Sequence, residues 1–178
     1  PPYPFAVAIG DDVVLAAMRR RYRVADYRRV VDAVVSTKAD CALGTDIMTG
    51  FPGEDDAAFE RTVSLVEALP FSYLHVFPYS ERPGTDAAAR DGAVAGEVRE
   101  RRARLLREVG VQKKEQFQRR FHGDVRLVLV EGPREGLRYG VTDNYVRVVL
   151  KDYEGPPNIF VSAQLAWAGG VVWASPAP

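Results

Sequence analysis

A single cysteine, Cys41, and two histidines, His75 and His122, leave this 178-residue chain poorly supplied with soft metal ligands. One thiol excludes an internal disulfide, a cysteine-only zinc site and any iron–sulfur cluster held by three or four thiolates of this chain alone. There is no Gly-x-x-x-x-Gly-Lys phosphate loop and no His-Glu-x-x-His zinc motif. Ser36, Ser64, Ser72 and Ser80 lack a nucleophile-elbow context and Cys41 has no Cys-x-x-Cys partner, so covalent catalysis has no candidate and the metal-ligand set is empty. Long apolar runs are missing too: nothing approaches the roughly 18 to 20 residues of a membrane helix. Pro1-Pro2-Tyr3-Pro4-Phe5 has neither the charged region nor the cleavage site of a secretory signal. The expected location is cytoplasmic, with no membrane partner. A hydrophobic content of 47% excludes disorder throughout. The length suits one ordinary domain, or part of a larger one joined to a small one.

Charge sums to zero, from 24 basic and 24 acidic residues, but is not evenly spread. Arg19, Arg20, Arg21, Arg23, Arg28 and Arg29 are opposed only by Asp26, whereas Asp40 to Glu67 is mostly acidic. A second basic run extends from Arg99 through Arg101, Arg102 and Arg104 to Arg119 and Arg120. Such a run is either a solvated helix face with i to i+4 pairs or a surface that meets phosphates.

Apolar residues at spacings of three and four predict helices over 12–18 and 24–35. Ala39 to Met48 is a strand that enters a tight loop, because Gly50, Pro52 and Gly53 prevent a helix from continuing. Asp55 to Leu69 follows as a helix with acidic residues in its first turn and Phe59, Val63, Val66 and Leu69 on one face. Phe71 to Tyr79, rich in aromatic and β-branched residues, reads as a buried strand. Strand, loop, helix and strand form a βαβ unit, whose strands run parallel. A long polar helix then spans about Glu97 to Arg120, with sparse apolar positions at Val98, Leu105, Val109 and Phe117. Beyond Phe121 the period changes to short strands, 125–130, 137–141, 145–150, 158–161 and 171–173, separated by Gly, Pro and Asn turns, which suggests a small all-β barrel. The expected domains are 1–118 and 119–178.

The Gly50-Phe51-Pro52-Gly53-Glu54 loop lies at the carboxyl end of a parallel strand, where parallel α/β folds place ligands. Its glycines permit close backbone approach, and Asp46 and Glu54 are suited to accept hydrogen bonds from an amino or ribose group. An ordinary strand-to-helix turn has the same residues. His75, alternating with apolar neighbours, is either a hydrogen-bonded core residue or a ligand. His122 reads as polar surface.

Thr45-Asp46-Ile47-Met48-Thr49-Gly50-Phe51-Pro52-Gly53-Glu54, followed by His75-Val76-Phe77-Pro78-Tyr79-Ser80-Glu81-Arg82-Pro83-Gly84-Thr85, strongly resembles the radical S-adenosylmethionine tRNA methylthiotransferases. The phrase around His75 is most similar to the MtaB branch, which acts on threonylcarbamoyladenosine in tRNA. The alternatives are the isopentenyladenosine (MiaB) and ribosomal-protein (RimO) branches. Gly10-Asp11-Asp12-Val13-Val14-Leu15 with Met18-Arg19-Arg20-Arg21-Tyr22 resembles the family's helix after the fourth barrel strand. Glu100-Arg101-Arg102, Phe121-His122-Gly123, Val128-Leu129-Val130-Glu131, Gly140-Val141-Thr142-Asp143-Asn144-Tyr145 and Asn158 resemble its C-terminal TRAM domain. The likeness covers residues 10 to 163.

The resemblance implies an α/β fold, the C-terminal portion of a partial (β/α) radical S-adenosylmethionine barrel, followed by a small all-β TRAM barrel that binds RNA. It implies that Asp46, Gly50 and Glu54 form one part of an S-adenosylmethionine site and that His75, Val76 and Phe77 flank the adenine. Arg20 suits the methionine carboxylate, with a solvated charge as the alternative. Arg82 is suited to pin its turn through backbone carbonyls. The implied partner is a tRNA anticodon stem-loop, met by Arg101, Arg102, Arg119, Arg120 and Tyr145, although Tyr145 reads equally well as barrel core. The family also holds two iron–sulfur clusters through N-terminal cysteines, and none of these cysteines is in this chain. Its Pro1 to Ile9 departs from the family's strand with a His and a Pro-Leu-Gln-Ser run. The expectation is a truncated reading frame, inactive alone, that needs the missing N-terminal half or self-associates through an exposed sheet edge. A catalytically inert RNA-binding fragment is the alternative.

Overall fold

A computed structural model describes residues 3–4 and 9–177. Most of the unusual stretch from Pro1 to Ile9 lies outside the described residues. The fold is mixed α/β, with two sheets and four helices among the described residues. The chain divides into two compact units. One contains Tyr3–Ala39 and Leu43–Lys113, the other Asp40–Ala42 and the chain from Lys114 onward.

In the first unit, strands β1 (Tyr3–Pro4), β2 (Leu43–Thr49) and β3 (Tyr73–Pro78) form a parallel sheet in that order. Helices α1 (Asp12–Ala17), α2 (Val24–Thr37) and α3 (Asp56–Ala68) are interleaved with them, and α4 (Gly96–Arg119) follows. Two aspartates begin helices. Asp11 accepts from the Val14 N–H at 2.9 Å, and Asp55 from the Ala58 N–H at 2.7 Å, each satisfying a donor that a helix start leaves unpaired. The N–H of Gly10 donates to Thr62 Oγ1 at 2.9 Å, which holds the start of α1 against α3.

The sheet has two unlike faces, because successive side chains of a strand point to opposite sides. Leu43, Thr45, Ile47 and Thr49 are buried on one face, as is Val76. Gly44, Asp46 and Met48 pair in register with Tyr73, His75 and Phe77 on the other. There the residues of β3 are half-buried or exposed, so β3 is not the fully buried strand its composition suggests. An apolar run records β-propensity, which does not require helices on both faces.

The sparse apolar pattern of α4 also misleads, because its packed stripe is not made of large aliphatic residues. Arg102, Ala103, Leu106 and Gly110 are buried, whereas Leu105 is 41% exposed. A side chain at Gly110 would begin 3.2 Å from Leu74 Cβ, so the missing Cβ sets how closely helix and strand approach. Lys113 donates to the carbonyls of Glu67 and Leu69, both at 2.6 Å, and satisfies acceptors at the carboxyl end of α3.

In the second unit, β4 (Val125–Arg134), β5 (Leu137–Thr142), β6 (Arg147–Leu150), β7 (Phe160–Ala168) and β8 (Val171–Pro176) close into a barrel of order β4-β5-β6-β8-β7. Strands β6 and β8 are parallel and the other neighbours antiparallel. Closure removes the open edges that a small sheet would expose. Val128, Val130, Val148, Leu165 and Val172 fill the interior, joined by Phe117 and Phe121, whose rings meet edge to face at 5.0 Å. Strand β7 is longer than its sequence suggests, since its alanines have low β-propensity although Ala163 and Leu165 turn inward.

Gly140 is a test of this closure. A Cβ there would lie 2.5 Å from Val128 Cγ1 and 2.9 Å from the Leu129 carbonyl oxygen. Gly140→Ala is expected to destabilise the barrel by about 1–3 kcal/mol through overpacking, read as a lowered midpoint in urea unfolding. An unchanged midpoint would mean that the strands separate there at no cost.

Candidate functional site

The loop after β2 is built around glycine and a buried carboxylate. Gly50 has φ 73°, a conformation that strongly favours glycine, and a side chain there would begin 2.2 Å from Arg99 Cγ. Its N–H donates to Glu54 Oε2 at 2.6 Å, and the Glu54 N–H donates back to the Phe51 carbonyl at 2.9 Å. Gly53 donates to the Gly92 carbonyl at 2.8 Å. The Phe51 ring packs edge to face on Tyr79 at 5.4 Å.

The Glu54 side chain has 0% exposure, and Arg102 supplies its counter-charge. Arg102 Nη1 donates to Glu54 Oε2 at 2.8 Å and to the Glu54 carbonyl at 2.9 Å, while Nη2 donates to Asp56 Oδ1 at 2.7 Å. Burial pushes the Glu54 carboxyl above its ordinary range, against the Gly50 N–H and the guanidinium, which oppose the rise. Asp56, exposed, is held below its ordinary range by its hydrogen bond and charge contact with Arg102. At the start of α1, burial raises the Asp11 carboxyl, but the Val14 N–H and Arg61, whose Nε is 2.7 Å away, outweigh it and the net shift is downward.

The open face of the sheet carries a second pair. His75 Nδ1 lies 3.3 Å from Asp46 Oδ1, and the imidazole is 74% exposed, so His75 is not a core histidine. The imidazole meets the Phe77 ring edge to face at 5.8 Å. Next to them, at the carboxyl end of the strands, is a hollow of about 300 Å³ lined by Met48, Phe77, Tyr79, Ser80, Arg82 and Thr85 among others. Its turn is held through the Arg82 carbonyl, which accepts from the N–H and hydroxyl of Thr85 at 3.3 and 2.8 Å. The turn is thus closed by the Arg82 backbone and the Thr85 side chain. The Arg82 side chain is exposed.

The candidate residues are therefore sorted by face. Asp46, His75 and Phe77 come together on the open side. Val76 turns its side chain to the buried side, and its carbonyl accepts from Arg107 at 3.2 Å. Glu54 is directed inward to Arg102, and Gly50 joins the two arrangements. Arg20 is exposed beyond α1, close enough to Tyr22 to act on its hydroxyl. Among the basic candidates, Arg101, Arg119 and Arg120 are exposed, whereas Arg102 is 4% exposed and its charge is directed to Glu54 and Asp56. Tyr145 is 47% exposed in a turn, at φ 65°, and is not part of the barrel core. His122 is exposed, and its Nδ1 accepts from the Trp167 N–H at 3.1 Å. Arg119 stacks over the Trp167 ring at 4.1 Å.

Sequence reasoning missed the role of Arg102. The one signal that points to it is helical spacing: Val98 four residues before it and Leu106 four after share its face of α4, together with Ala103 and Gly110. Among the described residues, no group of three or more His, Cys, Asp or Glu is arranged to hold a metal ion, and no helix is long and apolar enough to cross a membrane.

No family model matches the chain. Individual relatives do. The chain is 38% identical over 148 residues to a threonylcarbamoyladenosine tRNA methylthiotransferase MtaB of Thermotoga maritima, covering 83% of this chain and 34% of the relative. It is 34% identical over 160 residues to the Rickettsia prowazekii protein of the same name, covering 90% and 37%. A tRNA-2-methylthio-N(6)-dimethylallyladenosine synthase of Opitutus terrae is 38% identical over 151 residues, covering 84% and 31%. The chain thus spans about a third of the length of the curated relatives it matches.

Arg102→Ala is expected to destabilise the chain by about 3–5 kcal/mol at neutral pH, because it leaves the Glu54 carboxylate buried without its cation. The sign with pH follows from the raised folded-state value. The folded state binds the Glu54 proton more tightly than the unfolded state, so this group lowers stability as pH rises from the ordinary value of 4.5 through the raised one. Removing the guanidinium raises the folded value further. The loss should therefore be smaller below pH 4.5 than at neutrality, measured by urea unfolding at both. An equal loss at both would assign the effect to packing alone.

Proposed function

As the chain belongs to the tRNA methylthiotransferase family, we propose that it is a C-terminal portion of such an enzyme, with two contributions to one reaction. The first unit supplies part of a (β/α) barrel and of its S-adenosylmethionine site. The second, a TRAM-like barrel over 119–178, binds tRNA together with the basic helix before it. The reaction is addition of a methylthio group to N6-threonylcarbamoyladenosine next to the anticodon, in the cytoplasm. The observation that carries this reading is the open face of the parallel sheet, where Asp46, Met48, His75 and Phe77 lie in register beside the hollow at the strands' carboxyl ends.

The donor set fits S-adenosylmethionine. Phe77 and Met48 offer flat apolar support to an adenine, Asp46 accepts from an amino group or a ribose hydroxyl, and Gly50 turns the chain at the end of β2 into the loop beside the site. Val76 contributes to the wall through its backbone. Arg20 suits the methionine carboxylate. In this reading Glu54 acts from behind the site, fixing the loop on which Gly50 lies. Bound there, S-adenosylmethionine supplies a transferable methyl group. The residues do not fit an iron–sulfur cluster, since Cys41 is the only thiol and is buried. The two clusters of the family belong, in this reading, to the length of the relatives that this chain does not span, and that N-terminal half is the partner that completes the enzyme. The same lone thiol supports a second reading, in which the chain by itself only binds RNA.

In the second unit Arg119 and Arg120 are offered to phosphates and Tyr145 to stacking on an unpaired base, and in the first unit Arg101 is a separate exposed cation for phosphate. Titration of a labelled anticodon stem-loop at two salt concentrations tests it. Affinity should fall steeply with salt, and replacing Arg101, Arg119 and Arg120 by Gln should lower the slope of log affinity against log salt by about 2 to 3. Binding that is insensitive to salt and to these changes would remove the helix from the interface.

A further inference from the structure

The basic run from Arg19 to Arg29 contains one acid, Asp26, and that acid is already engaged. It accepts from the Arg23 N–H at 3.0 Å and pairs with Arg29. Arg28 is half-buried, and among the described residues no carboxylate lies at ion-pair distance from it. It follows Val24 by four positions on α2, so the two share a helix face, and both line a hollow of about 400 Å³. The other walls are Arg61, Ser64 and Leu65 of α3 and the start of α1 at Gly10, Asp11 and Asp12. This hollow shares no residue with the open face of the sheet, with the hollow beside that face, or with the side chains offered to RNA above.

The acceptors of the hollow are nearly all in use, and its donors are not. Asp11 Oδ1 accepts from the Val14 N–H at 2.9 Å and Asp11 Oδ2 from Arg61 Nε at 2.7 Å. Asp12 Oδ1 accepts from the Val24 N–H at 2.8 Å, which sets its charge at the positive end of α2. Its second oxygen, exposed, is the acceptor that is left. By contrast the Arg28 guanidinium, the two Nη atoms of Arg61 and the Ser64 hydroxyl donate to no group among the described residues. With Asp11 answered by Arg61 and Asp12 by the helix end, Arg28 is the uncompensated charge. The frame is fixed: a Cβ at Gly10 would lie 2.5 Å from Thr62 Cα, and Leu65, 1% exposed, forms an apolar floor. We propose that the hollow between α1, α2 and α3 is a phosphate-binding site, with Arg28 and Arg61 as charged donors and Ser64 as the hydroxyl donor. Guanidinium groups stay charged at every working pH and match the oxygens of a phosphate two at a time, so the site requires no change of protonation. Its ligand is either a free phosphate compound or a phosphate of an RNA backbone, which present the same oxygens.

The test titrates the isotope-labelled chain with inorganic phosphate at neutral pH and constant ionic strength, following the Ser64 amide and the Arg28 Nε–H resonances. Both should shift together and saturate, with half-saturation on the order of millimolar, as suits a few charge-assisted hydrogen bonds at an open site. Arg28→Gln should weaken binding about tenfold, the worth of one such bond. Arg21→Gln removes the same charge at an exposed position outside the hollow and should leave the affinity within about twofold. Each variant is checked for an unchanged urea midpoint. No shift, a shift that rises without saturating, or equal losses in the two variants overturns the proposal. An unmodified anticodon stem-loop, added at saturating phosphate, separates the two sources. Loss of the phosphate-induced shifts assigns the site to an RNA phosphate, and their persistence assigns it to a free phosphate compound. The inference does not depend on the tRNA reading: failure of the phosphate titration leaves that reading as it stands, and failure of the stem-loop to bind leaves the phosphate site.

Discussion

The pairing of Glu54 with Arg102 is the constraint on which the working end of the parallel sheet depends. A carboxylate without exposure to water is tolerable only when its charge is answered nearby, and Arg102 answers it while also reaching Asp56. The same carboxylate accepts the Gly50 N–H, so one ion pair connects the loop after β2, the first turn of α3 and the middle of α4. Buried pairs add little net stability compared with apolar packing. Their geometry is demanding, and here it specifies one conformation for a loop whose glycines would otherwise permit several.

Alternation of side chains along the strands divides the same sheet into a supported and an offered face. On the supported face lie the aliphatic side chains of β2, the small residues of α4 and the cations that α4 directs at backbone carbonyls, Arg107 at Val76 and Lys113 at the end of α3. These side chains behave as packing and capping groups, with their stems along apolar surface and their heads satisfied by oxygen. On the offered face, Asp46 and His75 meet each other side chain to side chain and keep further hydrogen-bonding capacity toward solvent. The barrel uses a different principle. Its strands satisfy each other by closing, its interior is aliphatic, and aromatic and basic side chains such as Tyr145 and Arg119 stand on its outside.

A large part of this was legible in the chain. The βαβ order, the glycine loop, the five short strands after Phe121 and the motifs around Gly50 and His75 follow from periodicity, turn residues and residue order, all of which are local. Leu105 and Arg102 show where such reasoning stops. Their hydrophobicities assign the leucine to the core and the arginine to solvent, and the structure does the reverse. His75 fails in the same way, since alternation with apolar neighbours says that it has a face and not what covers that face.

The sequence by itself determined the kinds of element, the position of the glycine loop after β2 and the family to which the chain belongs, because backbone preference and motif order are carried by neighbouring residues. Only the tertiary structure decided which charged groups are internal and which are presented. That choice depends on a partner delivered from elsewhere, as Arg102 is brought to Glu54 across 48 residues of chain. The energy of a buried charge is set by the oxygen or nitrogen that faces it, and no local pattern contains that atom.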